Sequence, residues 1–336
     1  MPSEIIIIGA GMTGLACARR LAQAGLKPLV LDKGRGIGGR MATRRVKLAA
    51  GEISFDHGAQ YFTARAAAFA EAMRGLDPTC ARWDDGAVEP HLVGVPGMSS
   101  VPRAMAAGLE VRLETAVTAA RATSGGWELD VGEKRLETQH LVITVPAPQA
   151  AALVGPDHPI HARIAGIAMA PCLTLMAAFA NDAPRPFAAR VADGHPLAWI
   201  AHDGSKPGRA GALTNWVAQA SAAWSEQHLE MPAEVLAERM LPMLAEVIGV
   251  APEMALHAAA HRWRYARPIV PLGQPFLSDD TGTLHVGGDW CLGARVEAAW
   301  LSGTAIADAI VAQVASGGTA ISPVRDPNRR DWGARG

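Results

Sequence analysis

Four consecutive isoleucines, Ile5 to Ile8, run into Gly9-Ala10-Gly11-Met12-Thr13-Gly14, after which Leu15, Ala16, Ala18, Leu21 and Ala22 recur at helical spacing until Gly25. The next apolar run, Leu29-Val30-Leu31, ends in Asp32, 18 residues beyond Gly14. A strand with no polar side is buried on both faces, so this opening reads as a parallel βαβ unit. A bare G-x-G-x-x-G is a weak signal. Between a strand and a helix, with an acid closing the second strand, it marks a dinucleotide-binding turn. Gly9 permits the tight turn, Gly11 lets the backbone approach a pyrophosphate, and Gly14 lets helix and strand pack closely; the helix start supplies free N–H groups for the phosphates. Asp32 is placed to accept from a ribose diol. Which dinucleotide is held is left open by this unit alone.

The chain carries 31 basic and 32 acidic residues in 336, a formal charge of −1 with pI near 6.8. It therefore lacks the electrostatic excess of a nucleic-acid binder or a polybasic membrane-surface protein. Cys17, Cys80, Cys172 and Cys291 are widely separated, with neither disulfide-framework nor zinc spacing. The N-terminus has no secretory-signal pattern. The longest apolar stretch, 164–180, is broken by Gly166, Pro171 and Thr174 and is shorter than the roughly 20 residues of a membrane helix. A cytoplasmic protein with no nucleic-acid, membrane or metal partner is expected.

Strands are expected at 111–113, 116–120, 127–131 and 141–145, with Gly125-Gly126 at a hairpin turn and Pro146 as a stop. A second block has strands at 172–180, 197–202, 212–217 and 256–264. It also has a helix between Pro232 and Gly249, with Val235, Leu236, Met240, Leu244 and Val247 on one face. A strand at 284–286, stopped by Gly287 and Gly288, and an Ala-rich helix over 297–314 return the chain to its first domain. The expected division is 1–75, 97–150 and 281–317 for the dinucleotide-binding lobe, 76–96 and 151–280 for a substrate lobe, and a flexible tail at 318–336.

After Asp32 comes a second glycine loop, Gly34-Arg35-Gly36-Ile37-Gly38-Gly39-Arg40-Met41. Its Gly-Gly-Arg ending resembles the continuation found in FAD proteins, with the Arg40 guanidinium suited to a diphosphate. A flavin must also be held at its ring end. The segment from Gly287 through Asp289, Trp290 and Cys291 to Arg295-Val296-Glu297-Ala298-Ala299 has suitable parts. Asp289 can meet ribityl hydroxyls or the diphosphate, and the helix opening at Val296 and Glu297 can aim N–H groups at the flavin O2 edge.

On these residues the chain resembles the renalase-like branch of the amine-oxidase flavoprotein superfamily. The matching stretches are 9–14, Gly38-Gly39-Arg40-Met41-Ala42-Thr43, Asp56-His57-Gly58-Ala59-Gln60-Tyr61-Phe62-Thr63, Gly97-Met98-Ser99, His261-Arg262-Trp263-Arg264-Tyr265-Ala266, Gly288-Asp289-Trp290-Cys291, Arg295-Val296-Glu297 and Ser302-Gly303. The resemblance implies a bilobal α/β fold. A Rossmann-type FAD-binding lobe is built from discontinuous segments, and a substrate lobe of mixed sheet plus helices covers the isoalloxazine. It implies non-covalent FAD held by Thr13, Asp32, Arg40, Gln60, Tyr61, Asp289 and the turn Arg295-Val296-Glu297. The same stretches add Gly9, Gly11, Met12, Gly14, Gly39, Met41, Phe62 and Gly288 as cofactor contacts, and Lys33 and Ala299 are expected beside them. Asp32 stands where Glu is commoner, and Ala294 and Ala298 where glycine is frequent. Cys291 is read as a small buried thiol, not as a covalent flavin link.

Many amine oxidases in this superfamily place a substrate-lobe lysine on a water at flavin N5 and line the site with an aromatic cage. Of the five lysines here, only Lys206 falls in the substrate lobe, in a turn-type sequence expected to be exposed. A paired tyrosine cage would need both tyrosines, Tyr61 and Tyr265, at one flavin face. The resemblance implies instead an oxidase of the 2- and 6-dihydro isomers of NAD(P), passing a hydride to flavin N5 and electrons to O2, with NAD(P)+ and hydrogen peroxide as products. Position and a dry pocket then matter more than acid–base chemistry. No second G-x-G-x-x-G follows another strand, so the dihydronicotinamide must enter the flavin-facing cavity itself.

Residues expected in that cavity are His261, Trp263, Tyr265, Trp216, Trp290, Gln60 and Tyr61, with His261, Tyr61, Trp263 and Trp216 as the catalytic candidates. His261 can orient a carboxamide or handle a proton. Trp216 and Trp263 are equally suited to core packing and to ring stacking. Arg262 and Arg264 alternate with Trp263, so at least one is expected to face solvent or substrate phosphates. The alternatives are a flavin amine oxidase or other small-molecule flavin dehydrogenase, and a dinucleotide-sensing flavin-binding protein. The oligomeric state stays open.

Overall fold

The isoleucine run forms strand Ile5–Ile8 inside a six-stranded sheet of order Phe276–Ser278, Leu284–Gly287, His140–Ile143, Ile5–Ile8, Leu29–Leu31, Glu110–Arg112. All neighbours are parallel except the edge strand Phe276–Ser278. The computed structural model describes residues 4–49, 51–209 and 211–316; the expected tail at 318–336 lies outside them. Alternation along a strand sends Ile5 and Ile7 to one face and Ile6 and Ile8 to the other. The first pair packs on Cys17 and Leu21 of helix Met12–Gln23 and on Ile306 and Ile310 of helix Val296–Ala315. The second pair packs with Trp127 and Leu129 of the three-stranded antiparallel sheet Val117–Thr123, Gly126–Val131, Lys134–Thr138. Both faces are covered, so no polar residue interrupts the run.

Helix Val296–Ala315 is long and apolar enough, by length and composition, to cross a membrane. Here its Ala298, Ser302, Gly303 and Ile306 are buried. Gly303 sits so close to helix Met12–Gln23 that a Cβ on it would stand 2.0 Å from the Thr13 carbonyl oxygen.

The second lobe is a five-stranded antiparallel sheet of order Ala189–Val191, Leu197–His202, Leu213–Ala220, Met169–Ala180, His257–Pro268. Helix Ala233–Ile248, stopped at Gly249 with φ +75°, lays Leu236, Met240, Leu244 and Ile248 on Leu173, Leu175 and Phe179. The other face of Met169–Ala180 carries Met176 and Ala178, which pack on Ile53 and Phe55 of the hairpin Thr43–Leu48, Gly51–Asp56. That hairpin follows the second glycine loop directly. It thereby seats the substrate sheet beside the dinucleotide turn.

Three lobe boundaries differ from those expected. Helices Ala147–Val154 and Ile160–Ala165 bury Ala150, Val154, Ile160 and Ile164 in the core of the first lobe, so 151–165 belongs there. Phe276–Ser278 adds the edge strand to the first sheet, so the chain returns before 281. The hairpin Cys80–Trp83, His91–Gly94 buries Trp83 and Val93 among Met12, Leu15, Ala299 and Ala201, bridging both lobes. Apolar spacing reveals that a segment is buried, not which core it enters. The apolar stretch 164–180 is a helix end followed by strand Met169–Ala180.

Gly303→Ala is expected to destabilise the fold by about 1–3 kcal/mol in urea unfolding, the usual cost of overpacking. An unchanged midpoint would contradict the close contact of the two helices.

Candidate functional site

A cavity of about 1040 Å³ opens where the two lobes meet, at the top of the roughly 300–1,000 Å³ range of small-molecule pockets. One wall comes from the glycine turn (Gly9, Gly11, Met12, Thr13), the end of the second strand (Asp32, Lys33), the second glycine loop (Gly39, Arg40, Met41) and Tyr61 and Phe62. The start of the last helix adds Arg295, Val296 and Ala299, and the substrate lobe supplies Trp199, Gln219, His261, Trp263 and Tyr265. Segments from both ends of the chain and from both lobes thus share one space.

The glycines at the turn answer to two different demands. A Cβ on Gly14 would lie 1.9 Å from the Gly9 carbonyl oxygen, so Gly14 serves packing inside the protein. Gly11 has an ordinary φ of −81°, and a Cβ there would meet no protein atom within 4 Å. What Gly11 leaves room for is in the cavity. Helix Met12–Gln23 starts with no side-chain cap, so its first-turn N–H groups are left for an anion. Asp32 is held by the Ala10 N–H at 2.6 Å and the Gly34 N–H at 2.7 Å, one on each oxygen, which leaves further lone pairs for ribose hydroxyls.

Arg40 donates to both oxygens of Asp289 at 2.7 and 2.8 Å and to the Ala266 carbonyl at 2.8 Å. Helix Val296–Ala315 likewise starts without a side-chain cap, at Arg295. A bare backbone cradle, two uncapped helix starts and an Arg–Asp fork between them suit FAD, with its diphosphate on the first helix and its ring at the second.

Strand His257–Pro268 brings His261, Trp263 and Tyr265 to one face. The Trp263 indole donates to the His57 carbonyl at 2.8 Å and stacks on the His57 ring at 5.1 Å, while His261 meets Trp263 edge-on at 4.4 Å. Burial, with His261 and Arg44 nearby, lowers His57 to about 4. Burial and Arg44 also lower His261. Both rings are therefore neutral near pH 7, and His261 offers the cavity a hydrogen bond without a charge. Elsewhere in the lining Tyr61 stacks on His91 at 3.4 Å and lies 5.4 Å from Trp199, and His91 Nδ1 is 2.7 Å from Asp85. His91, Trp199, Glu89 and Arg65 were not legible in the sequence. The hairpin that carries Glu89 and His91 reaches the cavity only through tertiary packing.

Several expected site residues lie elsewhere. Trp216 is fully buried between Phe187 and His202 in the substrate-lobe core, and Trp290 is buried with its indole donating to the Val145 carbonyl. The Gly288 N–H donates to Ser302. Glu297 turns away to accept the Arg65 and Ala66 N–H groups at 2.8 and 2.6 Å. Gln60 points into the protein, donating to the Asp56 and Gly58 carbonyls. Cys291 is buried outside the lining, its thiol pushed up to about 12 by burial, whereas Cys172 lines the cavity. Arg262 and Arg264 both turn to Glu230.

Lys206, expected to be exposed, is 2% exposed and pairs with Asp203 at 2.7 Å. Its turn is local, but buried carboxylates distant in sequence draw the cation inward. The lysine in the cavity lining is Lys33, beside Asp32.

Arg40→Ala leaves the Asp289 carboxylate, 8% exposed, without its cation. Flavin retention is expected to weaken at least about tenfold, as for a lost charged hydrogen bond, and wild-type occupancy on gel filtration would contradict this map. Because His57 resists protonation when folded, the unfolded chain binds the extra proton between pH 6.5 and about 4. Stability is present above that window and lost as pH falls through it. His57→Phe should remove up to about 3 kcal/mol of that loss, and an unchanged pH slope would contradict the buried neutral ring.

The fold has close structural counterparts. A candidate protoporphyrinogen oxidase from Exiguobacterium sp. 255-15 superposes with TM-score 0.76 at 14% identity, over 93% of this chain and 99% of that one. Cyclohexylamine oxidase from Brevibacterium oxydans IH-35A gives 0.73 at 15%, over 94% and 100%. A putrescine oxidase bound to putrescine gives 0.69 at 14%, over 93% and 99%. At this identity they share the architecture. In the sequence itself, residues 7–75 match the NAD(P)-binding Rossmann-like domain and residues 75–311 the flavin containing amine oxidoreductases. With that match covering most of the chain, and a cavity shaped for a flavin dinucleotide, the protein belongs to the flavin-containing amine oxidoreductase family.

Proposed function

We propose that this flavin-dependent oxidoreductase oxidises dihydronicotinamide dinucleotides, the 2- and 6-dihydro isomers of NAD(P), with O2 as acceptor and FAD held non-covalently. The observation that carries this reading is the charge of the cavity. Its three carboxylates are engaged: Asp32 by backbone N–H groups, Asp289 by Arg40, and Glu89 by Arg65. Of the basic groups in the lining, Lys33 and Arg267 have no carboxylate partner among the described residues, and Arg262 and Arg264 share Glu230. An ammonium substrate finds no free carboxylate among the described residues. A diphosphate finds cations beyond those the cofactor needs.

When bound, FAD supplies the two-electron acceptor for the overall change, dihydro-NAD(P) plus O2 and one proton giving NAD(P)+ and hydrogen peroxide. The chain's own part is positioning. Trp263 and Tyr265 provide flat walls for a nicotinamide ring, neutral His261 can hold its carboxamide, and Arg267 is available to the phosphates. No general base is required, because the ring regains aromaticity by losing a hydride. An amine substrate is the second reading, favoured by the aromatic group of Tyr61, His91 and Trp199 in the lining.

Anaerobic mixing of the holoprotein with borohydride-reduced NAD+ isomers is expected to bleach the flavin, whereas cyclohexylamine and putrescine leave it oxidised. The reverse pattern would sink the proposal. Arg267→Ala should raise KM for the dinucleotide about tenfold with kcat little changed, as for a phosphate-binding arginine, and a fall in kcat alone would contradict that role.

A further inference from the structure

Outside the cavity, four charged side chains are buried together. Asp56, Asp203, Lys206 and Arg209 are each at most 2% exposed at the side chain. Lys206 donates to Asp203 at 2.7 Å and to Asp56 at 3.4 Å, and Arg209 pairs with Asp56. The Thr43 hydroxyl and the Met98 N–H donate to the other Asp56 oxygen at 2.7 and 2.9 Å. Burial alone would raise the Asp56 carboxyl, but Lys206 and Arg209 outweigh it and hold the group below its ordinary range. The hairpin strand Gly51–Asp56, the segment around Met98 and the turn after strand Leu197–His202 are thereby fastened at one point.

Buried ions of balanced sign are costly to desolvate, and apolar packing commonly serves stability as well. Stability alone is therefore a poor account of this cluster. An ammonium has three N–H donors. Two of those of Lys206 go to the carboxylates, and the third goes to the Gln60 side-chain oxygen at 3.2 Å. Gln60 in turn donates to the Gly58 carbonyl at 3.1 Å, which also accepts from the cavity residue Gln219 at 2.7 Å. Gly58 and Ala59 line the cavity. A Cβ on Gly58 would lie 2.0 Å from the Arg40 carbonyl oxygen, and the Ala59 N–H donates to that same oxygen at 2.8 Å. The hydrogen bonds therefore run from the buried charges to the Gly58–Ala59 peptide and on to the backbone carbonyl of Arg40, the residue whose side chain forks onto Asp289.

We propose that Lys206 is a positioning residue for the cofactor: through Gln60 it holds the Gly58-Ala59 wall against Arg40, so that a charge cluster anchored in the substrate lobe sets how tightly FAD is retained. This rests on the cavity being the flavin site.

Three variants of the holoprotein test it. Lys206→Met removes the cation and leaves the cluster with an excess carboxylate, so its thermal midpoint falls. Asp203→Asn combined with Lys206→Met removes one charge of each sign and recovers much of that midpoint. Gln60→Met keeps all four charges and removes the Gln60 bonds to Lys206, to the Gly58 carbonyl and to the Asp56 carbonyl. All three are expected to release FAD about tenfold faster than wild type on dilution, the size of one charged hydrogen bond, and to alter the visible circular dichroism of the bound flavin. FAD release that follows the thermal midpoint, normal in the double variant and in Gln60→Met, would overturn the proposal and leave Lys206 a structural cation. A colourless wild type that takes up no flavin would overturn the reading of the cavity and this proposal with it, an outcome distinct from any pattern among the variants.

Discussion

Arg40 joins four parts of the chain through one residue. Its guanidinium forks onto Asp289, 249 residues away, and reaches the Ala266 carbonyl on the substrate-lobe strand. Its own carbonyl oxygen accepts from Ala59, on the wall that carries Tyr61 and Phe62. A bidentate pair fixes direction as well as distance, so this contact ties the C-terminal glycine segment to the second glycine loop, while the helix that begins at Val296 is seated by its packing on helix Met12–Gln23. The first glycine turn needs no such help. It is built from neighbours in sequence, and its geometry follows from strand, turn and helix packing on Ile5–Ile8. The ring end of the cavity has no comparable local motif and depends on the fork.

Around that fork the cavity combines neutral rings, engaged carboxylates and, among the described residues, basic groups with no carboxylate partner. His261 in the lining, and His57 behind Trp263, are kept neutral by burial, the carboxylates are all engaged, and basic groups remain at Lys33 and Arg267. A ligand with an aromatic ring and a diphosphate finds both kinds of contact here. A compact cation finds aromatic faces without a counter-charge. The structural neighbours with amines in their names share the frame and say nothing of how this lining is charged.

The sequence showed the Rossmann unit clearly because everything that defines it lies within the first 32 residues and obeys one period at a time. The substrate sheet was legible as strands, since 197–202 and the helix between Pro232 and Gly249 carry ordinary strand and helix signals. What escaped was choice between equivalents. Trp216 and Trp263 both sit on strands of one sheet, and only the packing of Phe187 and helix Ala233–Ile248 consigns Trp216 to the core. Lys206 occupies a turn that reads as surface, because nothing local announces Asp56, 150 residues earlier, as its partner. The hairpin Thr43–Leu48, Gly51–Asp56 is not among the expected strands, although its pattern is regular. Val46, Leu48, Ile53 and Phe55 alternate with polar residues about Gly51, a period-2 pattern that marks two half-buried strands.

On this reading one continuous cavity takes a whole flavin dinucleotide, from Asp32 to Val296. A crystal structure of the purified yellow protein tests it most directly. The ribose is expected at Asp32, the diphosphate over Gly11 and the isoalloxazine between the start of helix Val296–Ala315 and Trp263. Flavin density in any other place, or a ring turned out of the cavity with the space beside Trp263 filled by protein, would contradict it.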